Sequence, residues 1–217
     1  MIVIAERINC TRKRIKKAVA DRNEAFIAKE VVKQAKAGAT FIDVNAATSP
    51  ETEVESMRWL MEVVQANTDL PIAVDSANPE AMKLGLAMHR NGRPLVNSIT
   101  GETDRIEGIL PLAAEHNALL IALTMGDAGM PETNDDRAKA LEELLEKTDA
   151  AGIARADLFV DPLIRPISTN QSHAMDCVEM IRRIKADFGC KTTGGFSNVS
   201  FGLPSVGSST PRTWRSP

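Results

Sequence analysis

The sequence predicts an α/β fold of the TIM (β/α)8-barrel type, with the barrel spanning residues 1–204 and stopping short of its last helix and last β/α unit. Three observations lead there. Short apolar strands alternate with amphipathic helices roughly seven times, which is the pattern of βαβ units and a parallel sheet. The first strand is not followed by a G-x-G-x-x-G turn, which weighs against an open dinucleotide-binding sheet. Strand after strand also ends on a carboxylate or an amide: Glu6 and Asn9, Asp43 and Asn45, Asp75, Asn97, Asp161. A barrel brings such ends to one mouth, whereas an open sheet spreads them along an edge.

Each element has its own signal. Ile2 to Ala5 is an apolar strand ending at Glu6, with Thr11 available to cap the helix behind it. Ile27, Val31 and Ala35 lie four apart on a second helix, and Gly38 supplies the left-handed position that closes it. Thr40 to Asn45 is the second strand. Pro50 is expected to open a helix whose Val54, Met57, Met61 and Val64 recur at helical spacing. Pro71 to Asp75 is the third strand, with Asn78 and Pro79 as cap and first helical residue. Pro94 to Asn97 follows, then a helix in which Pro111 is expected to kink the helix or delay its start. Ala118 to Thr124 is a buried strand, and the polar loop Gly126 to Asn134 reads as the longest. Leu158 to Asp161 precedes a helix closed by Gly189, and the last strand is expected around Lys191 to Phe196. It runs into the turn Gly195-Phe-Ser-Asn198, which carries Ser197 and Asn198. Residues 205–217 have no apolar period and read as coil. Barrels of this type run to about 250 residues, so the expectation is a truncated or frame-shifted terminus.

Composition excludes several function classes. A chain of 217 residues with 43% hydrophobic residues and a net charge of -3 has no general attraction for nucleic acid or anionic membrane. No apolar run approaches the roughly 18 residues of a membrane helix, and Met1 to Ala5 is too short an apolar run before Glu6 and Arg7 for a secretory leader to be expected. Cys10, Cys177 and Cys190 form neither a CxxC pair nor a disulfide framework, so a reduced, cytoplasmic protein is expected. His89, His116 and His173 are scattered without metal-ligand spacing, so no metal site is expected. No lysine ends a strand where a Schiff-base nucleophile would sit.

Taken singly, Asp75-Ser, Asn97-Ser and Asp161-Pro are ordinary caps or turn formers. Together they are polar groups facing one cavity with few cations beside them, Arg7 and Arg165 being the nearest in sequence. Such groups need partners. A ligand rich in N–H donors would supply them, since a carboxylate accepts two parallel N–H bonds directionally.

Ala5-Glu-Arg-Ile-Asn9, Asp43-Val-Asn45, Ala73-Val-Asp-Ser76, Val96-Asn-Ser98, Asp161-Pro-Leu-Ile164 and Gly195-Phe-Ser-Asn-Val-Ser200, in this order, resemble the pterin-binding methyltransferases. These comprise the methyltetrahydrofolate:corrinoid/iron–sulfur protein methyltransferases and the folate domain of cobalamin-dependent methionine synthase. The resemblance implies a dihydropteroate-synthase-like barrel that holds methyltetrahydrofolate at its mouth. It implies that Asp75, Asn97 and Asp161 grip the pterin ring, and that Asn198 contacts N5 and serves catalysis. Gly195 and Ser197 join the pterin site with Asp43, which tunes the local field. It further implies transfer of the N5-methyl group to or from the cobalt of a corrinoid (cobalamin). This sequence lacks a D-x-H-x-x-G cobalamin signature, so the corrinoid would arrive on a partner protein. A homodimer is expected if the barrel is complete enough. The rival readings are a dihydropteroate synthase-like enzyme and a truncated, non-catalytic pterin-binding or interaction fragment. The first fits less well, because D-P-G-x-G-F is replaced by Asp161-Pro-Leu-Ile-Arg-Pro166.

Overall fold

The computed structural model describes residues 1–203, with Phe196 and Ser197 described by their backbone alone; the tail expected at 205–217 lies outside the described residues. Seven parallel strands lie side by side in chain order: β1 Ile4–Asn9, β2 Phe41–Asn45, β3 Ile72–Asp75, β4 Leu95–Ile99, β5 Leu119–Leu123, β6 Leu158–Asp161 and β7 Lys191–Thr192. Helices connect them: α1 Lys13–Ala20 and α2 Glu24–Lys36 after β1, then α3 Glu53–Ala66, α4 Pro79–Met88, α5 Thr103–Glu115, α6 Asn134–Ala150 and α7 His173–Asp187, one after each of β2 to β6. The expected barrel is therefore present as seven strands. Its first and last strands do not pair, and among the described residues no α-helix or strand follows β7.

Strand alternation sorts the side chains onto two faces. On β2, Ile42 and Val44 join the large core between sheet and helices, together with Val74, Val96 and Leu120. Phe41, Ala73, Leu95, Ile121 and Phe159 form a separate cluster on the concave side. Asp43 and Asn45 share the parity of Phe41, so they face inward with it. α4 lies close against β3 at Gly85, where an added Cβ would stand 2.6 Å from Cγ1 of Val74. No helix among the described residues is long and apolar enough to cross a membrane.

Several local expectations shift. Thr52, not Pro50, occupies the N-cap position, and α3 begins at Glu53. Pro111 neither delays α5 nor opens it, because the helix starts at Thr103 and carries the proline inside. The missing N–H costs it one ladder bond. The connection 162–172 is longer than the loop ahead of α6. β7 ends at Thr192, and Phe196–Ser200 is a 3-10 turn. The two glycines between them offer no side chains to pack on the pleat. Gly38 and Gly189 do take the left-handed conformation expected of them.

Candidate functional site

The mouth is built from the C-terminal ends of the strands. Register sets Asn45, Asp75 and Asn97 level with one another on β2, β3 and β4, and pairs Leu123 with Asp161 farther round. Asp43 lies one inward-facing layer deeper, opposite Ala73. The small side chain of Ala73 leaves room above β3, and Asp43 uses it: Asn97 Nδ2 donates to Asp43 Oδ1 at 2.9 Å from two strands away. Asn45 Nδ2 donates to Asp75 Oδ2 at 3.0 Å, and Asn45 Oδ1 accepts from the Ala47 N–H. Asp161 Oδ1 accepts the Leu163 N–H at 2.8 Å, and its carboxylate also accepts from the Gly195 backbone. Leu163 takes a positive φ of 61° to turn that N–H back. The Asn97–Ser98 peptide is cis.

These bonds commit only part of the acceptor capacity. Among the described residues no hydrogen bond engages Asp75 Oδ1 or the side-chain oxygen of Asn97, while Asp43 Oδ2 is buried without any partner. A cavity of about 670 Å³ opens beside them, within the usual size of small-molecule sites. Its polar lining includes Glu6, Asn97, Asp161, Thr192, Thr193 and Lys185, with Gly194 and Gly195 beside them, and Ile121, Leu123 and Phe159 form its apolar floor. It continues to the seam between β1 and β7, where Ile4 and Lys191 border it.

Burial dominates the electrostatics. It pushes the Asp43 carboxyl well above its usual range; the nearby Asp75 and Glu6 add to the effect, and the Asn97 amide opposes it. A fully buried carboxyl with one oxygen unpartnered is better accommodated neutral. Asp75 is pushed up to about 6, first by burial, with the Asn45 amide and the Arg105 guanidinium opposing and Glu6 and Glu53 reinforcing. Asp161 is also raised by burial and by Glu6, against the pull of its two backbone N–H bonds.

Of the residues expected at the site, Asn97, Asp161 and Gly195 line the cavity. Asp43 is joined to it through its bond from Asn97, and Asp75 does not line it but is level with Asn97 on the neighbouring strand. Asn198 is exposed on the 3-10 turn and does not line the cavity, although its Nδ2 approaches Gly195. Ser197 lies on the same turn, and its side chain falls outside what the structure describes. The two cations expected near the strand ends are engaged elsewhere. Arg7 pairs with Glu30 at 2.8 Å on the outer side, and Arg165 lies 3.7 Å from Asp176 and donates to the Glu132 carbonyl. Two residues had no site role assigned to them. Glu6, within β1, lines the cavity, and its charge acts on all three aspartates; its place in the series of strand carboxylates was the available signal. Arg105 lies in a helix, where nothing in the sequence shows which strand end it approaches.

Residues 5–216 match the family described as pterin binding enzyme. The chain is 35% identical over 209 residues to a methylcorrinoid:tetrahydrofolate methyltransferase of Eubacterium limosum, covering 94% of this chain and 76% of that protein. It is 28% identical to the methionine synthase of Mycobacterium tuberculosis, over 94% of this chain and 18% of that much longer protein. Among solved structures, the 7,8-dihydropteroate synthase of Vibrio fischeri superposes with a TM-score of 0.69 at 19% identity, over 89% of this chain and 72% of that one. The dihydropteroate synthase of Xanthomonas albilineans bound to 7,8-dihydropteroate gives 0.62 at 21%, over 90% of this chain and 72% of that one. At these identities the likeness is one of fold.

Proposed function

This chain belongs to the pterin-binding enzyme family, and from that premise we propose that it is a methyltransferase moving the N5-methyl group between methyltetrahydrofolate and the cobalt of a corrinoid held by a partner protein. The observation that carries the reading is the set of acceptors Asp75, Asn97 and Asp161 at the ends of three strands, Asn97 and Asp161 lining one cavity and Asp75 level with Asn97 beside it, each with acceptor capacity uncommitted. A reduced pterin presents a flat edge of ring N–H and amino donors. Asp75 and Asp161 suit that edge as acceptors, and the free oxygen of Asn97 adds a third. The apolar floor of Ile121, Leu123 and Phe159 suits the ring faces.

The corrinoid supplies a metal centre that takes up or returns the methyl group. The work of this chain lies at N5. When the N–CH3 bond breaks, N5 keeps the electron pair and takes a proton, so a hydrogen bond there is worth more in the transition state than in the ground state. An amide is too weak an acid to be that proton's source. Asn198, on the turn that follows β7, is assigned the stabilising bond, and the carboxyls of Asp43 and Glu6 set the field around it.

Calorimetric titration with methyltetrahydrofolate tests the reading. One-site saturable binding that is lost in an Asp75→Ala/Asp161→Ala variant is the expected result. A folded wild-type chain that binds no methyltetrahydrofolate would refute it.

A further inference from the structure

Four carboxylates converge on the strand ends of β1 to β3. Asp75 is faced by Glu6 from β1, by Asp43 from β2 and by Glu53 from α3, where Glu53 accepts the hydroxyl bond of Ser76. Against them stands one cation, Arg105, on the first turn of α5. Among the described residues Arg105 forms no ion pair within 4 Å. Its one side-chain hydrogen bond runs from Nη1 to the backbone oxygen of Ser76 at 3.5 Å, directly after Asp75. The guanidinium therefore lies alongside the end of β3 with most of its five donors unspent. Asp43 has no such neighbour. It is fully buried, and its single hydrogen bond comes from a neutral amide.

We infer that Arg105 is a positioning residue for the pterin site, a role that rests on the reading above: it holds Asp75 as the ionised acceptor while the proton of the pair stays on Asp43. Two adjacent carboxyls that share an excess of negative charge do not ionise alike, and the one beside the cation ionises first. Without Arg105, burial and the carboxylates of Glu6 and Glu53 would favour a proton on Asp75 as well. A protonated Asp75 would meet a ligand N–H with one acceptor fewer. The amide of Asn45 orients the Asp75 carboxylate and favours its ionised form through a hydrogen bond, and Arg105 adds to the second effect through its charge.

The test uses the full chain with Arg105→Gln and Arg105→Lys variants and reads two quantities against pH. The first is the titration of the Asp75 carboxyl in the ligand-free protein by carbon NMR; the second is affinity for 5-methyltetrahydrofolate. The Gln variant should move the Asp75 midpoint upward from about 6 by about one pH unit, which lowers affinity about fivefold at pH 6 and much less at pH 8. The Lys variant, which keeps the charge, should restore most of both. Should the Gln variant fold poorly, Arg105→Met carries the same expectation. An Asp75 midpoint that is the same in wild type and charge-removing variants would overturn the role of Arg105, even if affinity fell. A wild-type chain that binds no methyltetrahydrofolate at any pH would overturn the pterin reading and with it this role.

Discussion

Asn97 reaches over Ala73 to bond Asp43 at 2.9 Å, joining two strands that are not neighbours in the sheet. The bond spends the amide's N–H on a carboxyl sealed from solvent and leaves its oxygen for the cavity. Asn97 is thereby oriented from below, and its register partner Asp75 is oriented from the side by Asn45.

The first prediction concerns Asp43. Its folded-state pKa is raised, so the native state holds a proton that the unfolded chain releases as pH climbs above about 4. Stability from this group is therefore full at low pH and lost as pH rises through the folded value. Asp43→Asn removes that dependence. Relative to wild type, the variant should gain thermal stability between pH 5 and pH 8. A difference in melting temperature that stays constant over this range would show that Asp43 is not the buried proton carrier.

Binding should be linked to protons through Asp75. A donor-rich ligand favours the ionised carboxylate, so at pH 6 binding should release about half a proton per site, falling towards zero by pH 8. Calorimetry in buffers of different ionisation enthalpy measures this directly. Proton uptake at pH 6 would contradict the acceptor role of Asp75.

Asn198→Ala should lower the rate of methyl transfer by about a hundredfold, the usual effect of removing one preorganised transition-state donor. Affinity for methyltetrahydrofolate should change little. Equal losses in rate and affinity would make Asn198 a binding residue only.

Gly85 tests the packing of α4 on β3. Replacing a helical glycine with alanine normally stabilises by about 1 kcal/mol. Here the new Cβ would meet Cγ1 of the stiff Val74 side chain at 2.6 Å, and overpacking costs about 1–3 kcal/mol. Gly85→Ala should therefore lower the melting temperature. In a Val74→Ala background the same change should raise it, and denaturation of the four proteins completes the cycle.

Much of this was legible in the sequence because turn chemistry and strand periodicity are local. Asp43, Asp75, Asn97 and Asp161 could be assigned to strand ends without any tertiary information, and Asn78-Pro79 marked the start of α4 correctly. What the sequence did not show depends on phase in three dimensions. β1 shifts register between Ala5 and Ile8, which sends Arg7 outward to Glu30 while Glu6 faces the cavity. That Arg105, and not Arg7 or Arg165, lies beside the end of β3 follows from how the first turn of α5 brings its guanidinium to the Ser76 carbonyl. No sequence spacing records that approach. The early end of β7 has a similar origin, because Gly194 sits where a Cβ would lie 2.7 Å from Ile164.

The strand order β1 to β7 matches the chain order, and β1 does not pair with β7. The sheet is thus a linear array in which strand pairing runs only between one β/α unit and the next. Such an array has interior and terminal members, unlike a closed ring in which every member is equivalent. Opening should begin at the two ends and proceed inward, so amide exchange should be fastest in β1 and β7 and slowest in β3 to β5. The acceptors then divide by lifetime: Asp75 and Asn97 sit on the most persistent strands, while Gly195 and the turn that carries Asn198 lie beyond the strand that opens first. A ligand that bridges Asp75 and Gly195 would tie the slow part of the molecule to the fast one, and the protection it confers should be largest after β7.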